Sequence, residues 1–463
     1  MTSSATMALT FLSIRRLAAL ALCFAAACAQ VPTAPTPEPI FLDFPPMRGF
    51  VAQSPGPATR ANSQIAADFM DLSFEMESGR PLAVLTRFQG PITVRTAGNL
   101  PPAAMRDLRA LIGRLRSEAR ININLTSEPQ ANIVIQTIPA RAMQRIAPNA
   151  ACFVVPRVQS WEELRAARNS DILDWGTLER RDKAAIFIPV GATPQEMRDC
   201  LHEELAQALG PLNDLYSLPD SVFNDDNIHA VLTGFDMLIL RTYYAPALRN
   251  GMSREEVAAR LPALLAQYNP RGQRGAGQPT PRTSRLWKGM MEAALSDGMS
   301  DSRRRQAAAR AIEIGQSQGW TGTRAGFAQY AYGRLQIGND PAQALTAFNA
   351  ASRAYGQDPD TQIHAAHVAL QRAAPTLISG DADRVIAITQ AAIPIARRHE
   401  NAGLMSLLMM FQAEALDLRG DTDAAMALRL DSLGWALYGF GDRDAVIDQL
   451  NEIASLPPQK PPS

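Results

Sequence analysis

The stretch Cys200-Leu-His-Glu-Glu-Leu-Ala-Gln-Ala-Leu-Gly-Pro-Leu-Asn-Asp214 holds the densest set of side chains able to bind a cation or move a proton. Two imidazoles four residues apart share one helix face and can hold zinc, with a glutamate beside the first acting as base for a metal-bound water. His202-Glu203 opens such a set, but the second imidazole position is Ala206. One residue further on, Glu203 and Gln207 lie four apart on one helix face, and Asn213 follows beyond the turn. Glu204 is a second carboxylate beside the first, and Gly210 lets the chain reverse after the helix. One carboxylate and two neutral amides form a poor zinc set, because zinc prefers imidazole and thiolate. Oxygen donors, with Asp214 as a further one, suit calcium or manganese better.

Other chemistry is sparse. His202, His229, His364, His367 and His399 are the only histidines. His364 and His367 lie three apart on an expected helix with no third ligand in view, and they read as solvated surface groups. There is no phosphate-binding glycine loop and no Gly-x-Ser-x-Gly elbow. Thr233 and Asp236 have the spacing of a capping box.

Residues 1–29 read as a signal peptide: Arg15-Arg16 supplies the positive start, residues 17–27 an apolar stretch too short to span a bilayer, and Ala25-Ala26-Ala27 a small-residue cleavage zone. The expectation is an exported protein, periplasmic or lipid-anchored to a bacterial envelope membrane. Cys28 follows the alanines as a lipid-accepting cysteine would, with plain cleavage after Ala29 as the alternative. Cys152 and Cys200 then remain in the folded part. In an oxidising compartment they would pair in one disulfide; otherwise they are two buried thiols.

The elements that must position these groups fall into two regions, as the 463-residue length suggests. Residues 30–60 are proline-rich and read as a tether. Short β-branched runs at 83–88, 92–95, 121–125, 132–136, 152–155 and 185–190 predict strands, and helical spacing covers 61–77, 101–119 and 193–209. The expectation is an α+β domain over 61–268 and a Pro/Gly-rich linker over 269–284. Residues 285–455 carry helical spacing alone, before a proline-rich tail at 456–463. Gly338-Asn339-Asp340, Gly380-Asp381 and Gly420-Asp421 recur about every forty residues, each a helix stop followed by a cap, which predicts helical hairpins. Met405 to Met410 reads as helix core, and the aromatic run 433–440 as a cap on the helical array. Lys plus Arg and Asp plus Glu number 45 each, so no basic excess points to nucleic acid.

The 203–214 spacing resembles the metzincin pattern of zinc proteases, which implies that Glu203, Gln207 and Asn213 stand at its three ligand positions and Glu204 at its general base. On that resemblance Ser221-Val-Phe223 stands where the family makes its methionine turn, with Phe223 in place of methionine, and Leu232-Thr-Gly-Phe-Asp236 with Tyr243-Tyr244 resembles the closing helix. Together with Arg198-Asp-Cys-Leu-His-Glu-Glu204, Phe223-Asn-Asp-Asp226 and the segment 246–252, the region from about 60 to 260 looks like the family named domain of unknown function 2927. Ala344, Phe348 and Ala351 after Gly338 resemble a degenerate tetratricopeptide repeat. These resemblances imply a zincin-like α+β domain followed by an all-α array that would bind an envelope protein through 285–455. The function expected is a non-catalytic scaffold without a cofactor, in which Glu203, Glu204, Gln207 and Asn213 form a polar network fixing the turn. Two alternatives stand beside it. One is a metal-dependent hydrolase with Glu204 as base and a divalent cation on Glu203, Gln207, Asn213 or Asp214; the other is a plain core helix with an acidic face.

Overall fold

The computed structural model describes residues 44–51, 56–148, 150–274 and 277–458. The signal peptide, Cys28 and most of the proline-rich tail lie outside the described residues. After α1 (Asn62–Phe74) come β1 (Ile92–Ala97), α2 (Pro102–Ser117), β2 (Ile123–Leu125), β3 (Ile133–Pro139), α3 (Ala140–Gln144), β4 (Phe153–Pro156), α4 (Trp161–Ala167) and β5 (Ala184–Val190). The helices α5 (Pro194–Leu209), α6 (Gly234–Tyr243), α7 (Arg254–Ala258) and α8 (Leu261–Tyr268) complete a mixed α/β domain. Its five-stranded sheet has the order β2-β1-β3-β5-β4, parallel except for β4, which runs antiparallel at the edge.

The central strands β3 and β5 are near-continuous apolar runs because both their faces are covered. Alternation along β5 sends Ile186 and Ile188 into the core shared with α1, α2 and α5. Ala185 and Phe187 face the other way, into a smaller cluster with Met143, Trp161 and Leu164.

One expectation about this domain needs correction. Residues 83–88 form no strand of the sheet: the Leu85 amide donates to Met252 O at 2.9 Å, and Gly251 N donates to Leu85 O at 3.0 Å. The Arg87 guanidinium holds the carbonyls of Tyr243 and Ala245. The apolar alternation therefore marks a half-buried extended segment hydrogen-bonded to a turn. Of the tether expected over 30–60, residues 30–43 and 52–55 lie outside the described residues, and Phe44, Arg48 and Phe50 contact the helical region. Phe50 lies 4.8 Å from the Trp435 ring, Arg48 N donates to Gly434 O, and Phe44 sits under the Arg443 guanidinium. Proline content hid the aromatic side chains that give this segment something to bury.

The described residues 269–274 and 277–284 lie against α1, with Ser63 Oγ donating to Gly277 O at 2.7 Å, Asn62 Nδ2 donating to Asn269 O at 3.1 Å and Arg282 paired to Asp71 and Glu75. Helices follow to the end: α9 (Arg285–Leu295), α10 (Asp301–Ser317), α11 (Thr323–Gln336), α12 (Pro341–Tyr355), α13 (Gln362–Ile378), α14 (Ala382–Arg398), α15 (Ala402–Arg419), α16 (Thr422–Phe440) and α17 (Arg443–Ala454). Successive helices pack on one another. Gly380 and Gly420 stop their helices in the left-handed conformation at φ +78 and +89, whereas Gly338 does not. Asp340 and Asp381 accept from the backbone amides three residues on, capping α12 and α14. Residues 402–411 of α15, including the methionine run, are buried on every face. No helix among the described residues is long and apolar enough to cross a membrane.

Candidate functional site

Helix α5 carries the residues singled out by the sequence. It starts at a capping box: the Thr193 hydroxyl accepts from Glu196 N, the Glu196 carboxylate accepts from Thr193 N, and Pro194 occupies the first turn. Leu201, Leu205, Ala208 and Leu209 lie in the core over the sheet. Cys200 pairs with Cys152, so a disulfide fastens the helix to the start of the edge strand β4. Cys200 lies within the helix and not ahead of it, and pairing removes the free-thiol alternative.

The disulfide brings β4 against the next turn of α5, where the Glu204 carboxylate accepts a hydrogen bond from the Val154 amide. Glu204 is only 4% exposed, and its second oxygen has no partner. Burial, then the charges of Glu203 and Glu77, push this carboxyl well above its ordinary range. One turn on, Gln207 Nε2 donates to Asp214 Oδ2 at 3.3 Å, and Asn213 Nδ2 donates to the Asp71 carbonyl at 2.9 Å. The remaining oxygens of Asn213 and Asp214 are buried without partners.

Two residues absent from the sequence reading complete this acidic cluster. Glu77, from the loop after α1, hydrogen-bonds Asp214; burial and the Glu77 and Glu203 charges raise the Asp214 carboxyl well above its usual range. Lys288 of α9 places its ammonium 3.4 Å from the Asp214 carbonyl and offsets the charges of Glu77 and Asp225. The Asp225 carboxyl, raised by burial and by Glu77, is hydrogen-bonded to Tyr216.

A carboxyl raised in the folded state contributes stability below its unfolded value near pH 4, and that contribution is lost as pH rises through the folded value. Glu204→Gln keeps an acceptor for Val154 N and removes the ionisation. Its melting temperature should exceed that of the wild type, with the gain growing from pH 5 to pH 8 in calorimetry. An unchanged or lower melting temperature at pH 8 would contradict the burial argument.

The turn after α5 is held by Arg181, which the sequence reading missed. Its buried guanidinium donates to Gln207 O at 2.6 Å, to Ala208 O at 2.7 Å and to Gly210 O, and it lies over the Trp175 ring. These carbonyls are the groups a helix C-terminus leaves without intrahelical donors. Gly210 is extended, at φ -165, and its role is spatial: a Cβ there would stand 3.0 Å from the Tyr243 ring. Tyr244 Oη donates to Leu209 O. Beyond the turn, Ser221 Oγ and the Val222 amide donate to Asp236, whose carboxylate also closes the capping box with Thr233 at the start of α6.

The helical region covers this site. Tyr216 packs against Trp287 of α9 at 4.9 Å and Phe327 of α11 at 5.8 Å, inside the second core. The aromatic run expected as an end cap lies in α16 and faces the first domain, with Tyr438 Oη donating to Asp107 at 2.6 Å. Nearby, Arg198 of α5 pairs with Glu400 in a buried contact at 3.1 Å, and Gln195 bonds Asn401 and Gly403 N. A surface depression lined by Val84, Gln89, Glu179, Arg180, Asn250 and Gly251 contains none of the candidate residues. Among the described residues, no group of three or more His, Cys, Asp or Glu side chains is arranged to hold a metal ion.

The histidines are placed differently from the expectation. His364 and His367 are buried at the junction and not solvated, because α13 is covered by the 219–232 loop on one side and by α14 and α15 on the other. His202 is also buried, accepting from Leu232 N at 3.0 Å. The chain matches no curated protein. One family model does match, over residues 62–263, and its description is "Protein of unknown function (DUF2927)".

Proposed function

We propose that the chain is a non-catalytic scaffold of the cell envelope, built from a zincin-like domain that has lost its metal and a tetratricopeptide-like array, residues 285–455, that binds a protein partner. The observation that carries this reading is the burial of the inherited site. Glu204 and Asp214 are 4% and 2% exposed, and α9 packs over the turn that carries Asp214. A water-activating glutamate needs access to water and to substrate, and this one has neither. The ligand positions also fit zinc poorly. Gln207 and Asn213 offer only neutral amide oxygens, and neither side chain has the imidazole or thiolate that zinc prefers. The signal-like start of the sequence supports export, with Cys28 as the anchoring residue.

One observation favours the hydrolase reading: Glu204, Asn213 and Asp214 each keep a buried oxygen without a partner, as a cation site would. Purification of the mature protein without chelators decides between the two. The scaffold reading expects no stoichiometric metal and no cleavage of a general peptide library. A stoichiometric divalent metal, with cleavage abolished by Glu204→Gln, would overturn it.

A further inference from the structure

Four of the five histidines meet where the loop 219–232 of the first domain lies on the helical region. His229 is central, its ring 5.4 Å from that of His364 on α13 and 5.5 Å from that of His399 at the end of α14. His229 Nε2 is held by the Pro219 carbonyl at 3.1 Å. His364 is fully buried: its Nε2 lies 2.9 Å from Asp226 Oδ2, Tyr355 packs on its ring, and its Nδ1 has no partner. His367 sits one turn along α13, with Nε2 3.5 Å from the Asn401 amide.

The charged groups around them do not favour more imidazolium. Arg334 of α11 and Arg398 of α14 act against protonation of His367 and His399. Asp226 is the carboxylate that meets an imidazole, and it is bonded to His364. Glu400 faces Arg198 of α5, Asp360 is hydrogen-bonded by Thr59, and Asp220 is paired with Arg60. Tyr355 completes the ring of titratable neighbours.

We propose that the His229, His364 and His399 contact is an acid-sensitive latch: on acidification the 219–232 loop separates from α13 and the 397–401 turn while both cores keep their fold. The closed junction requires His229 and His399 to be neutral, because a proton on His229 sets it against the two rings it touches, and one on His399 sets it against Arg398, in a buried contact. Burial and those neighbours depress His399 to about 4 and His367 to about 3, and they hold His229 well below its usual value. The latch is therefore at full strength above the unfolded value of about 6.5 and weakens as pH falls toward 4.

The first domain responds with the opposite sign. Its buried carboxyls Asp68, Asp220 and Asp236 are raised by burial, Asp220 to about 7. They contribute more stability in acid, not less. Acid should therefore open the junction without melting the sheet.

Hydrogen exchange of the full chain by mass spectrometry, stepped from pH 7 to pH 4.5 and corrected for intrinsic rates, tests this. The proposal expects 226–232 and 397–401 to lose protection about tenfold per pH unit for each proton taken up, while 184–190 and 404–411 stay protected. His229→Gln combined with His399→Gln should move the opening to lower pH by about one unit, with His399→Gln alone, at a partly exposed turn, moving it part of the way. Simultaneous loss of protection in latch and cores would overturn the proposal. So would an opening pH unchanged in His399→Gln and in the double variant.

Discussion

Arg181→Met should lower the stability of the first domain by about 3–5 kcal/mol, the net of three buried carbonyls left unpaired against the relief of burying the guanidinium. The substitution keeps much of the side-chain volume over Trp175 but strips donors from the carbonyls of Gln207, Ala208 and Gly210. Each buried carbonyl left unpaired costs about 1–3 kcal/mol. Loss of the desolvation cost of the guanidinium, which burial disfavours, offsets part of that sum. Urea denaturation followed by circular dichroism would show the first transition moving to lower denaturant, with Arg181→Lys recovering part of the shift through its shorter, single-point ammonium. A loss below about 1 kcal/mol would mean that the turn after α5 is held by something other than this guanidinium.

Removing the disulfide should have an effect of similar size. Cys152 and Cys200 are 48 residues apart, and closing such a loop restricts the unfolded chain by about 4 kcal/mol in the entropy model. The paired substitution Cys152→Ala with Cys200→Ala should lower the same urea transition by about that amount. It should also loosen the edge strand, because β4 reaches α5 through this bond and through the Val154 amide on Glu204. Equal midpoints for oxidised and reduced wild-type protein would show that the sheet edge is held without it.

The parts of the fold that were legible in the sequence are those decided locally. Ile133-Val-Ile135 and Ala185-Ile-Phe-Ile188 announce buried strands, and the Thr233 box announces a helix start. Glycine and aspartate punctuation placed the starts of α12, α14 and α16. In the site, Glu203, Glu204, Gln207 and Asn213 could be grouped because they lie on one helix and the turn after it. Glu77, Arg181 and Lys288 could not, since they arrive from three other parts of the chain. Arg181 in particular stands in Glu179-Arg-Arg-Asp-Lys183, which reads as a solvated charge run; its position just before a fully buried strand was the usable signal. The histidines misled for the same reason. Three-residue spacing on one helix says nothing about a loop more than a hundred residues earlier that covers it.

The docking of residues 44–51 on α16 bears on the order of synthesis. Arg48 and Phe50 leave the ribosome long before Gly434, Trp435 and Tyr438 exist to receive them. This contact closes nearly the whole chain on itself, so its loop entropy must be met after both cores have formed. The early aromatic segment therefore waits, exposed, for the end of translation. A chain stopped before α16 would carry Phe50 and the Asp107 acceptor without the α16 side chains that meet them.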